Sequence, residues 1–491
     1  MVCNIKLLSY LILLGFIKGC FKNVHITLGD AYANPKSEIT YRIGLMLNNY
    51  KDRACWEGIR AVLTYVDGTT QEFKVTKQNH YSFHGDPDSA GIEAVKEKAV
   101  DIERTFVFID LKQLTDKSEF SYSLYYNDAL VKGPFEFKTN INKNLSKSRI
   151  VSFGDHDIIK GMPTIRALEN HDYDLMILLG DYSYNIHDEN GKKGDHYFEA
   201  MEKILTKAPV ILVTGNHEYA DRYRLFASRF VFPLNLSEST NNYFHFVIGN
   251  TLFIAFNFDT FVLSDKDKQD HWDWLTDTIA KYKNDDTIEN RLFYSHRPFL
   301  CTNNPPVGTR RRPQCRTAIW EYKKVYDLLL KNQFKAAFSA HQHYYERLKP
   351  TVGYEINYKG LTQVLTGTGG NDDLFIFIEL PKSEIRVSNY QLTMGFTEAV
   401  ISGDKIICKF INAEGNKLLE EFVIGEEEPH SRTFLTILII ISLLVIAIGI
   451  HQFLLKRDKP DIAEMKNRLQ DNMIDDQEER TSPTTELNPL V

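Results

Sequence analysis

The chain has 491 residues, more than one hydrophobic core ordinarily spans, so two or more cores are expected. Hydrophobic residues at 43% and charged residues at 25% are globular proportions, which exclude both a disordered chain and one wholly embedded in a bilayer. A formal charge of -7, with basic residues scattered apart from the run Arg310, Arg311, Arg312, argues against a nucleic-acid partner.

Segment 1–20 reads as a secretion signal, with Lys6 in its charged part, the apolar run Leu7 to Ile17, and small residues near Gly19 and Cys20 where a peptidase would cut. The run is too short to cross a bilayer.

From 22 to 143 the pattern is short and β-like. Val24 to Thr27, Ile39 to Ile43, Ala61 to Tyr65, Phe106 to Ile109 and Phe120 to Tyr126 are strand candidates, and Asp67-Gly68 is a turn between them. These predict an all-β sandwich of the immunoglobulin or fibronectin kind.

From 148 to 425 the style changes to buried apolar runs alternating with helix-like stretches such as Tyr197 to Leu205 and Ile319 to Leu330, an α/β signature. Each apolar run ends in residues that bind metals or phosphate. Val151 to Phe153 leads to Gly154-Asp155, Leu175 to Leu179 to Gly180-Asp181, and Val210 to Val213 to Gly215-Asn216-His217. Leu292 to Tyr294 leads to His296, and Ala336 to Phe338 to His341 and His343. Carboxyl ends of strands in open α/β sheets converge on the ligand, so these five loops are predicted to meet.

Cys301 and Cys315 bracket a Pro- and Arg-rich loop, and in an oxidising compartment a disulfide closing it is expected. Asn144 and Asn235 head Asn-x-Ser sequons, glycosylation sites if they face a lumen.

No formally charged side chain occurs from Thr433 to Leu455, a run long enough for one transmembrane helix. Lys456, Arg457 and Lys459 follow it and Glu426 to Glu428 precede it, so the positive-inside rule puts the polar, disordered tail 456–491 in the cytosol. The expectation is a single-pass type I membrane protein, anchored by that one C-terminal helix. Its bulk is then extracellular or in the lumen of an endosomal or lysosomal compartment.

Gly180-Asp181-Tyr182-Ser183-Tyr184, Gly215-Asn216-His217-Glu218, His341-Gln342-His343 with Tyr344 to Arg347, and Gly367 to Gly370 together resemble the motifs of the calcineurin-like metallophosphoesterases. The Tyr184 block is similar to that of the purple acid phosphatases in particular. Ser295-His296-Arg297-Pro298 running to Cys301 resembles their long animal-type form, and Phe135 to Thr139 resembles the closing strand of their N-terminal domain. Two departures stand out: Asp157 occupies a position where the family has Gly, and Ala340 another. Plant members also carry histidines on the loop where this chain has Asn303, Asn304, Pro305 and Pro306.

The resemblance implies a four-layer α/β/β/α sandwich after the β domain. It assigns Asp155, Tyr184 and His343 to a ferric ion, Asn216, His296 and His341 to a divalent ion (Fe, Zn or Mn), and Asp181 as the bridge. Hard phenolate and carboxylate oxygens suit the trivalent ion, and Asn with two His suits the divalent one. The implied activity is hydrolysis of phosphate monoesters, on a small molecule or phosphoprotein, at acidic pH by in-line attack of a metal-activated hydroxide. His217 is the implied outer group that binds phosphate or protonates the leaving group, with Asn216 as a further substrate contact; by their charge, Arg297 and the Arg310 to Arg312 run are expected to draw an anionic substrate to the site. A phosphodiesterase or nucleotide pyrophosphatase would use the same cage. A catalytically inert adhesion or receptor protein is the reading from another class.

Overall fold

The computed structural model describes residues 20–29, 40–47, 56–85, 100–112, 114, 119–139, 141, 147–231, 243–261, 264–302, 320–353, 355–371, 384–391, 393–425, 431–457 and 465–470. The body of the expected signal, Asn144, Asn235, Cys315, Asn303 to Pro306, the Arg310 to Arg312 run and most of the tail lie outside these residues. The chain divides into two units, Met1–Glu426 and Glu427–Val491.

The first unit begins with eight strands: β1 (Phe21–Leu28), β2 (Tyr41–Leu47), β3 (Ile59–Tyr65), β4 (Thr70–Lys74), β5 (Lys77–Gly85), β6 (Val100–Leu111), β7 (Glu119–Tyr126) and β8 (Ala129–Lys138). Next come β9 (Ser148–Phe153), β10 (Leu175–Leu178), β11 (Val210–Leu212), β12 (Phe244–Ile248), β13 (Thr251–Phe256), β14 (Asn290–Ser295), β15 (Ala336–Ser339) and β16 (Tyr344–Val352). The last six are β17 (Glu355–Ile356), β18 (Leu361–Thr366), β19 (Arg386–Gln391), β20 (Gly395–Ser402), β21 (Lys405–Asn412) and β22 (Lys417–Val423).

Among the described residues the strands form three sheets. The largest has the order β22-β21-β20-β9-β10-β11-β1-β2-β6-β5. The second runs β12-β13-β14-β15-β18-β16-β17, with β19 paired to β16, and the third is β4-β3-β7-β8. Strands β9, β10 and β11 pair in parallel, as do β13, β14, β15 and β18, and their apolar runs are buried on both faces, as interior parallel strands require.

Alternation along the second sheet shows the layering. Phe253, Ala255, Leu292, Tyr294, Ala336 and Phe338 join the core shared with the first sheet. The intervening Leu252, Ile254, Phe256, Phe293 and Ala337 join a separate core with Leu275 and Ile279 of the Asp265–Tyr282 helix and Val325 and Leu329 of the Trp320–Lys331 helix. On the far side of the first sheet lie the Met162–Glu169 and Lys192–Leu205 helices; the latter starts after Gly191 at φ 79° and buries Tyr197, Phe198, Met201, Ile204 and Leu205. The mixed sheets thus form an α/β sandwich with helices on its outer sides, as expected.

The N-terminal strands do form two sheets, packed through pairs such as Tyr41 and Phe137, 4.9 Å between ring centroids. One of those sheets, however, is not separate. Thr27 of β1 pairs in parallel with Val210 of β11, so the β sandwich and the α/β region share one sheet and one hydrophobic core. The Lys192–Leu205 helix is fastened to this region: Glu202 accepts the Val24 N–H at 3.1 Å and pairs with Lys132 at 2.7 Å. Tyr122 donates to the Thr206 carbonyl at 3.1 Å.

The second unit contains the Ser431–Arg457 helix. Among the described residues, no helix is long and apolar enough to cross a membrane.

Candidate metal centre

Asp155, Asp181, Asn216, His296 and His341 each sit just past the carboxyl end of β9, β10, β11, β14 and β15, so two sheets aim five loops at one place. The backbone is bent to do so. Asp155, Asp181, Tyr184 and His341 have φ of 57°, 57°, 48° and 69°, a region non-glycine residues rarely adopt and one concentrated at functional sites. Two glycines let the loops touch. A Cβ on Gly180 would lie 2.5 Å from the Gly215 nitrogen, and one on Gly215 would lie 2.2 Å from Asp181 Oδ1.

One group of donors is Asp155, Tyr184 and His343. The Tyr184 hydroxyl lies 3.0 Å from His343 Nε2 and 3.3 Å from Asp155 Oδ1, and the last two atoms are 3.2 Å apart. Asp155 Oδ2 accepts the His341 N–H at 2.6 Å. Burial, then the Asp155 and Asp181 carboxylates, push the Tyr184 phenol well above its ordinary value. Only a strongly polarising cation would displace that proton and make it a phenolate ligand.

The other group is Asp181, Asn216, His296 and His341. His296 Nε2 lies 3.2 Å from Asp181 Oδ2, 3.1 Å from Asn216 Oδ1 and 3.1 Å from His341 Nδ1. Ligand atoms of Asp181, His296 and His341 all fall within 4.8 Å of one another, a spacing able to hold an ion. His296 Nδ1 is 2.7 Å from the Leu179 carbonyl, so a neutral His296 carries its proton there and turns the Nε2 lone pair to the others. Four electron-rich atoms around one point fit a cation.

In the bare chain a proton fills part of that role. Burial depresses His296, but Asp181 outweighs it and raises the imidazole to about 9. Burial likewise pushes Asp181 up, yet His296, His217 and His341 outweigh it and hold the carboxyl well below its usual range. The Asp181 charge acts on Tyr184 as well as on His296, which fits a bridging position.

His217 stands at the rim. Its side chain is 20% exposed against 2% for Asp181, its ring packs 4.7 Å from the Tyr184 ring, and its Nε2 is 3.9 Å from Asp181 Oδ2. Asn185 Oδ1 lies 2.9 Å from His217 Nδ1 and fixes the ring. Arg297 is placed differently from the substrate contact expected of it. It is buried, its Nε donates to Asp259, and its Nη1 lies 2.7 Å from His341 Nε2. The guanidinium supports a ligand instead of facing solvent.

Several supporting residues have no role that the sequence alone reveals. Glu218, the last residue of the Gly215 to Glu218 motif, is buried and accepts the N–H groups of Gly215, Asp181 and Tyr182 at 2.8, 2.9 and 2.7 Å. The buried Tyr182 hydroxyl donates to the Val213 carbonyl and accepts the Gly180 N–H. Asn371, just past the glycine-rich turn, sits 2.8 Å from His343 Nδ1. Asp157 acts locally, because its Oδ1 accepts the Ile159 N–H at 2.8 Å and closes the turn after the first motif. Cys301 is disulfide-bonded, and Thr302 beside it donates its N–H to the buried Glu346 at 3.0 Å.

Residues 152–345 match the family model described as calcineurin-like phosphoesterase. The chain carries a calcineurin-like phosphoesterase domain. Beyond it, the chain is 25% identical over 283 residues to acid phosphatase type 7 of Homo sapiens, covering 53% of this chain and 64% of that one. It is 27% identical over 236 residues to purple acid phosphatase 15 of Arabidopsis thaliana, covering 42% of each. These matches span less than two thirds of each relative's length. The structure of purple acid phosphatase PPD1 from yellow lupin seeds superposes with a TM-score of 0.65 at 14% identity, covering 82% of this chain and 74% of the lupin chain. That likeness extends the shared fold well beyond the phosphoesterase domain.

Proposed function

We propose that the chain is a purple acid phosphatase that hydrolyses phosphate monoesters at acidic pH at a centre of one ferric and one divalent ion. The observation that carries this reading is the convergence of seven donors from five strand ends into two adjoining groups, one holding the tyrosine and the other the asparagine. Asp155, Tyr184 and His343 would hold the ferric ion, Asn216, His296 and His341 the divalent one, with Asp181 between. When bound, such a pair neutralises phosphate charge and brings the pKa of water below the value of about 7 that zinc gives, which suits an acidic medium.

The protein's own side chains do the rest. Asn216 has an amide NH2 left for a phosphate oxygen once Oδ1 is committed to the ion. His217, steadied through Nδ1 by Asn185, presents Nε2 at the open rim, where a protonated ring binds the phosphate or passes its proton to the departing alkoxide. Substrates are phosphorylated small molecules or phosphoproteins.

The surrounding features suit a type I membrane protein with its catalytic unit outside the cytosol: the leading apolar segment, the sequons at Asn144 and Asn235, the disulfide-bonded Cys301, and the apolar helix ending at Arg457. Assaying a phosphate monoester beside a diester across pH 4–8, on protein whose metals have been counted, tests the activity. Turnover of the diester alone, or of neither ester by fully loaded protein, would refute it.

A further inference from the structure

The ring of His217 leans on the loop after β10, and that loop holds an uncommon conformation. Ser183, Tyr184 and Asn185 have consecutive φ of 58°, 48° and 82°, three non-glycine residues in the left-handed region, which persists only where neighbours hold it. Asp188 is such a neighbour. Its main-chain N–H donates to the Asn185 carbonyl at 3.1 Å, and its Oδ2 accepts from Asn185 Nδ2 at 3.3 Å. Its own carbonyl accepts the N–H groups of Gly191 and Lys193, at 3.1 and 3.3 Å, where the Lys192–Leu205 helix begins. The loop is thus tied to a rigid element.

An ionised carboxylate only accepts hydrogen bonds, so Asn185 must turn its NH2 to Asp188 and its Oδ1 the other way. On that other side is His217, with Nδ1 2.9 Å from Asn185 Oδ1. The amide cannot flip without setting its oxygen against the carboxylate, and the imidazole cannot turn without losing its acceptor. Nε2 of His217 is thereby left facing the rim. Asp188 is buried, its side chain 8% exposed, and its Oδ1 lies 3.7 Å from Nε2 of the buried His187, so little water competes with Asn185 for the carboxylate.

We propose that Asp188 is a positioning residue for phosphate-ester hydrolysis: acting through Asn185, it fixes the angle at which the His217 ring presents Nε2 to the oxygen of the departing alcohol. It works at one remove from the substrate. The inference rests on the reading of His217 given above, and concerns only how that ring is aimed.

The test compares two monoesters on full-length protein whose metals have been counted. The leaving group of para-nitrophenyl phosphate departs without a proton, whereas that of glycerol phosphate needs one. Asp188→Leu frees the amide: kcat for glycerol phosphate should fall about tenfold or more, while kcat for the nitrophenyl ester and both KM values stay within about threefold. Asn185→Ala should give the same pattern, and adding Asp188→Leu to it should lower turnover no further, because residues acting through one another do not add. Asp188→Asn keeps an oxygen for Asn185 and should retain turnover of glycerol phosphate. Equal loss on the two esters, additive losses in the double variant, or no loss in folded, metal-loaded Asp188→Leu overturns the inference and leaves the phosphatase reading standing. If Asp188→Leu does not fold, the two milder variants decide: a loss in Asn185→Ala that ignores the leaving group, or a loss in Asp188→Asn confined to glycerol phosphate, is equally contrary. A wild-type protein that turns over neither ester overturns both.

Discussion

Glu218 accepts the main-chain N–H of Asp181 at 2.9 Å, and so ties the loop that carries one proposed ligand to the loop that carries another, Asn216. The same carboxylate takes the Gly215 and Tyr182 N–H groups, and none of the four is open to solvent. The two loops approach closely enough to need glycine at both 180 and 215, and Glu218 satisfies the donors that this approach leaves without a ladder partner.

Replacing Glu218 with Ala would strand three buried N–H groups, each costing about 1–3 kcal/mol. A loss of about 3 kcal/mol or more in urea unfolding of the metal-stripped protein is expected, with reduced metal uptake. A change under about 0.5 kcal/mol would show that Glu218 is not the tie described.

His217→Ala removes the rim imidazole but no member of the two donor groups. Turnover should fall by about 100-fold or more, within the range for a lost general acid, while two metals per chain are retained. Loss of a metal in this variant would move His217 into the cage.

Asp157→Gly restores the residue usual in the family. Because Asp157 closes a turn through Ile159, the variant should lose about 1 kcal/mol of stability and keep its full metal content. Loss of either ion would give this carboxylate a ligand role.

Acid should destabilise the metal-stripped chain. Burial is the first cause that lowers His25, His156, His187, His245 and His271 from 6.5 to about 4. The folded state keeps them neutral while the unfolded state protonates them, so their contribution is full above pH 6.5 and lost as pH falls to about 4. Glu218, raised to about 8 by burial and then by Asp181, and Glu346, raised by burial, act in the opposite direction, but are two groups against five. The melting temperature should drop between pH 6.5 and 4; a flat or rising profile contradicts this.

The convergence of these side chains was legible because they are local to strand ends. Apolar runs followed by Asp155, Asp181, Asn216, His296 and His341 mark both the sheet and the side on which they meet, and the structure gathers all five. What those residues lean on was not legible. Asn185, Glu218, Asp259 and Asn371 act through partners 32, 37, 38 and 28 positions away, as in the His217, Asp181, Arg297 and His343 contacts, and nothing in their own neighbourhoods announces such a pairing. Arg297 looked like a substrate contact because a basic residue beside a ligand suggests anion binding; its burial beside Asp259 became visible only in three dimensions. The joining of β1 to β11 was legible only in the structure, because Lys22, Asn23, His25 and Thr27 break up any apolar run in β1. β1 and β2 are buried along nearly their whole length, the mark of interior strands, whereas β4 and β5 show the alternation of a half-exposed sheet.

The central claim is tested most directly by metal analysis and a visible spectrum of the wild-type protein beside Tyr184→Phe. The account predicts two ions per chain, one of them iron, and a violet tyrosinate-to-iron band that the Tyr184→Phe variant lacks. Two zinc ions and no such band would contradict the ferric assignment, and a chain that holds no metal would contradict the cage.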